Sequence, residues 1–72
     1  MQLMSILKKL RMEHGYTLRS LGEATGIAYP RISRMENGHE KVWGNDVRRI
    51  GEVLPLPEGG ITDGNGFAKI AE

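Results

Sequence analysis

Arg31 and Arg34 stand three residues apart in the stretch Tyr29-Pro30-Arg31-Ile32-Ser33-Arg34-Met35-Glu36-Asn37-Gly38, and Ile32 and Met35 repeat at the same interval. On a helix this pattern buries an apolar stripe and turns Arg31, Ser33 and Arg34 to the outer face. A guanidinium is a planar fork of N–H donors, a match for the paired acceptors on the edge of guanine or for phosphate oxygens. Arg34 is the foremost candidate for base recognition of that kind; Arg31 can do the same or grip a phosphate. Ser33 offers a weaker groove contact. Tyr29 can touch a thymine methyl, give its hydroxyl to a phosphate, or pack over the turn before the helix. Arg19, Asn37, His39, Lys41 and Trp43 flank this face and suit a sugar–phosphate backbone, although a tryptophan more often serves a core or an interface. Arg48 and Arg49 either reach phosphate or solvate a later helix.

Other chemistries find no support. With no cysteine there is neither a thiolate nucleophile nor a thiolate metal site, a composition that suits a reducing, cytoplasmic compartment. His14 and His39 stand alone, and no serine has an evident base and carboxylate partner. No glycine-rich segment has phosphate-loop spacing. Asp63-Gly64-Asn65-Gly66 superficially resembles a calcium loop, but counting from Asp63 puts Phe67 and Ala68 where an oxygen ligand and a glycine are required. The expectation is therefore no enzyme, no cofactor and no metal.

The elements that position these residues follow from periodicity and punctuation. Leu3, Leu7 and Leu10 predict a first helix from Leu3 to His14, ended by Gly15. Ile6 and Met12 fall off that stripe and either widen the core or contact the tail or a second subunit. Thr17 caps a short second helix to about Thr25, with Leu18, Leu21 and Ala24 at spacings of three. Gly22 inside it costs roughly 1 kcal/mol against alanine, which suggests that a neighbouring helix needs the room. Gly26 supplies a tight turn and Ile27 an apolar plug. Pro30 opens a third helix that closes at Asn37-Gly38. Residues 39–44 form a loop, and a fourth helix runs from Asn45 to Leu54, with Val47, Ile50, Val53 and Leu54 on one side, stopped by Pro55 and Pro57. From Glu58 onward the pattern changes: Asp63-Gly64-Asn65-Gly66 is a turn signal between two short apolar segments, consistent with a hairpin, an added strand or disorder.

Seventy-two residues make one small unit that buries only about 60% of its unfolded surface. No apolar run is long enough to span a membrane. The net charge of +1 conceals an asymmetry: residues 1–49 carry nine Lys or Arg against five acids, and residues 50–72 one Lys against four. A basic face, not the average, governs attraction to phosphate.

Two short helices joined by a glycine-bearing turn, the second apolar only on its inner side, form a helix-turn-helix pattern. The run from Leu7 to Gly38 is similar to the Cro/cI-like, XRE-type family of bacterial and phage DNA-binding domains. It matches at Gly15, Thr17, Leu21, Gly26, Ile27, Ile32 and Glu36-Asn37-Gly38 without a gap. With the fourth helix, the resemblance covers residues 3 to 56.

That resemblance implies an all-α, lambda-repressor-like domain of four or five helices over residues 1–56, with 57–72 as a tail or dimerisation arm. It implies a buried ion pair between Arg11 and Glu36, and a homodimer that represses transcription by binding a two-fold operator of double-stranded DNA. The contact between subunits would come from the tail, through Phe67 and Ile70, or from the fourth helix with Trp43. The chain departs from the family at the groove. Leu18 replaces a common glutamine, Ala28 a capping serine or threonine, and Tyr29-Pro30 two polar positions. The competing function is an antitoxin-like or adaptor protein whose main partner is another protein.

Overall fold

Ser5, rather than Leu3, starts the first helix. In a computed structural model describing residues 3–71, its hydroxyl accepts the Lys8 amide at 3.1 Å, and helix α1 spans Ile6–Glu13. The predicted start at Leu3 is thus corrected: a buried cap interrupts the leucine pattern, and Leu3 is left two-thirds exposed. Ile6, off the leucine stripe, packs against the core, whereas Met12 faces solvent. Met1, Gln2 and Glu72, assigned above to the domain and its tail, lie outside the described residues.

Helix α2 spans Leu18–Thr25 and opens with a reciprocal cap: Thr17 Oγ1 accepts the Ser20 amide at 3.0 Å, and Ser20 Oγ accepts the Thr17 amide at 2.9 Å. It ends at Gly26, whose φ of +78° is the left-handed conformation glycine adopts without a Cβ clash. Gly22 is required by proximity. A Cβ there would sit 2.8 Å from the Ile27 carbonyl oxygen and 3.2 Å from the Tyr29 amide. The room expected to be taken by a neighbouring helix is taken first by the turn, at Ile27, and next by the start of α3, at Tyr29.

Helix α3 spans Tyr29–Glu36, one residue earlier than Pro30 suggested, and helix α4 spans Gly44–Gly51. Ala28 gives α3 no side-chain cap, but its carbonyl accepts the Arg31 and Ile32 amides. Helix α4 ends three residues before Leu54, yet Leu54 remains buried in the turn that follows. Leu7, Leu21, Ile27, Ile32, Met35, Ile50 and Leu54 form the centre of the core.

Ile61 and Ala68 join the same core, so the tail closes the helical unit rather than trailing from it. Thr62 and Ala68 pair as an antiparallel bridge across the Asp63–Gly66 turn, where Asp63 Oδ1 accepts the Asn65 and Phe67 amides. A second bridge joins Ser5 and Ile70, with the Ile6 amide on the Lys69 carbonyl and the Ala71 amide on that of Met4, both at 2.8 Å. Of the alternatives open for residues after Glu58, the hairpin with a strand-like return is the one adopted. Ile70, a candidate for pairing between subunits, here pairs with Ser5 of its own chain.

Candidate nucleic-acid interface

The turn between α2 and α3 is anchored from below. Ile27 is buried, its amide donates to Thr25 Oγ1, and that hydroxyl donates to the Leu21 carbonyl at 2.8 Å. Ile32 and Met35 are fully buried on the inner side of α3, while Tyr29, Pro30, Arg34 and Asn37 remain exposed and Ser33 is half-buried. The predicted outer face therefore exists, with one change in its membership.

That change is Arg31. Its Nε donates to Glu40 Oε2 at 2.6 Å, and Nη1 and Nη2 donate to the two oxygens of Asp46 at 3.2 and 3.0 Å. All three of its nitrogens thus face carboxylates, which hold its pKa above the ordinary arginine value, Asp46 first and Glu40 next. Asp46 also accepts the Trp43 amide at 3.0 Å, capping the first turn of α4. Arg31 consequently braces α3 against α4, whereas the outer-face pattern had offered its fork to a base.

Arg34 is bonded through Nε alone, to Glu40 Oε1 at 2.8 Å, and its side chain is 52% exposed. Its Nη1 and Nη2 carry no hydrogen bond among the described residues. Glu40 sits between the two arginines, which hold its carboxyl below the usual range, Arg34 contributing most and Arg31 next. Neither Glu40 nor Asp46 was singled out from the sequence. They lie six and twelve positions beyond Arg34, across a loop whose path no periodicity specifies, and only the proximity of acids to the two arginines hinted at them.

The remaining candidates make contacts of their own. The Arg19 guanidinium lies 5.0 Å from the centre of the Tyr29 ring and 3.4 Å from its hydroxyl. Tyr29 thus has its backbone against Gly22, at the turn, and its ring beside a cation. The Lys41 ammonium stands 5.4 Å from the Trp43 ring and 5.9 Å from that of Phe67. Trp43 is exposed and takes no part in the core. The Asn37 side-chain amide donates to the Ser33 carbonyl, closing α3, and His39 is exposed just beyond. Arg49 Nη1 reaches the Gly26 carbonyl at 3.4 Å, beside the turn, while Arg48 pairs with Glu52 in solvent.

Beneath this face, Arg11 and Glu36 form the expected pair. Nε to Oε2 is 2.6 Å, Nη2 to Oε1 is 3.2 Å, and Nη1 donates to the Tyr16 carbonyl at 2.9 Å. The pair fastens α1 to the last turn of α3. It fixes the helix that carries Arg34 without facing solvent itself.

Two helices meeting at a left-handed glycine, the second buried on its inner side and polar on its outer side, form a helix-turn-helix. A helix-turn-helix family model matches residues 7–61, and the chain belongs to this Cro/cI-type, XRE family of DNA-binding regulators. The match reaches Ile61, the tail residue that enters the core. No curated protein matches the chain, and no solved structure matches it. Among the described residues no helix is long and apolar enough to cross a membrane.

Proposed function

We propose that the protein is a sequence-specific transcriptional repressor that reads an inverted-repeat operator as a homodimer, inserting α3 into the major groove. The observation that carries this reading is the half-exposed Arg34, anchored at Nε with its terminal nitrogens open, on a helix whose inner face is fully buried. Arg34 contacts a guanine. Tyr29 and Ser33 make the lesser groove contacts, and Arg19, Asn37, His39, Lys41 and Trp43 meet the flanking backbone. Arg31 belongs to this set as the brace that sets the tilt of α3.

Size supports the dimer. A single eight-residue helix reads few base pairs, and specificity gains from a second half-site about 34 Å away. The protomer measures only 27 × 26 × 23 Å, so one copy spans less than the distance between two half-sites. The paired termini supply apolar surface for the contact, since Leu3 and Ile70 are 67% and 50% exposed. Such a dimer covers about one and a half turns of duplex, and repression follows from occupancy alone.

The test is selection from a randomised duplex library at two salt concentrations, with the protein's mass measured on the recovered site. An inverted repeat bound by two copies is expected. Weak, steeply salt-dependent binding with no preferred sequence would contradict the reading, because it reports phosphate attraction alone.

A further inference from the structure

We infer that Glu40 is a specificity-determining positioning residue: its carboxylate holds Arg34 by Nε and aims the free Nη1–Nη2 edge of the guanidinium into the groove. The inference rests on the reading that α3 contacts bases, and adds to it a residue that touches no DNA.

An unrestrained arginine samples many rotamers and serves a phosphate as readily as a guanine. Arg34 is restrained by a continuous chain of contacts. The buried Asp46 caps α4 and binds Arg31 with both oxygens. Arg31 Nε holds one oxygen of Glu40 at 2.6 Å, and the other oxygen accepts Arg34 Nε at 2.8 Å. The loop carrying Glu40 is pinned on both sides, by the His39 amide on the Arg34 carbonyl and by the Val42 amide on the Gly66 carbonyl, each at 2.8 Å. Glu40 therefore presents a fixed oxygen to a side chain that is otherwise half in solvent.

The atom it holds matters. With Nε occupied, Arg34 meets a base end-on through its two terminal nitrogens, the pair able to bond guanine O6 and N7 together. Charge works in the same direction. Arg31 and Arg34 face Glu40 and Asp46, so the cluster is formally neutral and adds little to general attraction for phosphate. A carboxylate at the groove repels the DNA backbone, which lowers affinity for any duplex while leaving a directed contact to one base. Both arginines keep Glu40 ionised.

The experiment compares the wild type, Glu40→Gln, Arg34→Ala and the double variant. The probes are the duplex that the wild type recovers from the randomised library, copies with each base pair changed in turn, and an unrelated duplex. Circular dichroism and thermal melting check that each variant is folded. Expected for Glu40→Gln is a loss of discrimination of about tenfold, confined to the base pair that Arg34→Ala also relaxes. Affinity for the unrelated duplex rises, because a repelling charge is gone. In the Arg34→Ala background the Glu40 change does nothing further at that base pair.

Tighter binding of Glu40→Gln to the recovered duplex with discrimination intact would overturn the proposal, showing that Glu40 withholds Arg34 from DNA. An equal loss at every position would overturn it as well, reducing Glu40 to a general structural part. If the wild type recovers no sequence, base reading itself fails and the role of Glu40 falls with it. A recovered sequence whose every position tolerates Arg34→Ala leaves specific binding standing but removes Glu40 from it.

Discussion

Two of the protein's arginine–carboxylate assemblies are built from the same groups and set in opposite surroundings. Arg11 and Glu36 lie inside, with side chains 10% and 3% exposed, while Arg34 and Glu40 lie at the rim, 52% and 26% exposed. Distances scarcely separate them: Nε to Oε is 2.6 Å in the first and 2.8 Å in the second. Burial does. A charge stripped of water depends on its partner, so the inner pair makes the fold intolerant of losing either member. A charge half in water depends less on its partner, so the outer arginine can stay anchored at Nε and keep its terminal nitrogens open to solvent. Arg31 and Asp46 are intermediate: the carboxylate is nearly buried and the guanidinium a third exposed.

The comparison is broken most forcefully at the inner pair. Glu36→Ala leaves Arg11 buried without its counter-charge and is expected to cost about 3–5 kcal/mol, read from the urea unfolding midpoint. Replacing both partners, Arg11→Met with Glu36→Leu, should recover part of that loss, although the Tyr16 carbonyl then lacks its donor. At the intermediate position, Asp46→Ala removes the brace on Arg31 and the cap on α4 together. About 2 kcal/mol is expected from those two losses, by the same measurement.

At the rim the balance reverses. Arg34→Ala should change stability by less than about 0.5 kcal/mol, as surface substitutions do. In binding titrations the same variant should lose about 1–3 kcal/mol of discrimination at one base pair in each half-site. The smallest effect is the pH dependence of the outer pair. Glu40 has a depressed pKa in the folded protein, so its stabilisation is complete above the unfolded value of about 4.3 and disappears as the pH falls through the lower folded value. The stability gap between the parent and Glu40→Gln should therefore narrow as the pH is lowered from about 7 to about 3. A gap that widens in acid would contradict the assigned cause.

The helix-turn-helix was legible because its determinants are local. The Thr17 cap, the left-handed Gly26 and the Ile32–Met35 stripe act within a few residues, and Gly22 carried its own warning through its cost in a helix. The Arg11–Glu36 pair followed from family resemblance, since 25 positions separate its members and no periodicity joins them. The start of α1 was misplaced because Leu3 continues a spacing that the Ser5 cap terminates. The tail was ambiguous because its order comes from long-range contacts, Ile61 in the core and residues 69–71 against 4–6. The same limit hid Glu40 and Asp46. An outer-face pattern shows which arginines leave the core, but not which carboxylates a distant loop brings to meet them, and so it gave no sign that two acids engage Arg31.

On the proposed reading, the rim arginine reads DNA while the buried one only holds the fold. The most direct test of that reading is the sequence preference of Arg34→Ala, selected from the randomised duplex library beside the wild type. The variant is expected to keep the inverted repeat but lose its preference at a single base pair in each half-site. An unchanged preference at every position would contradict the reading.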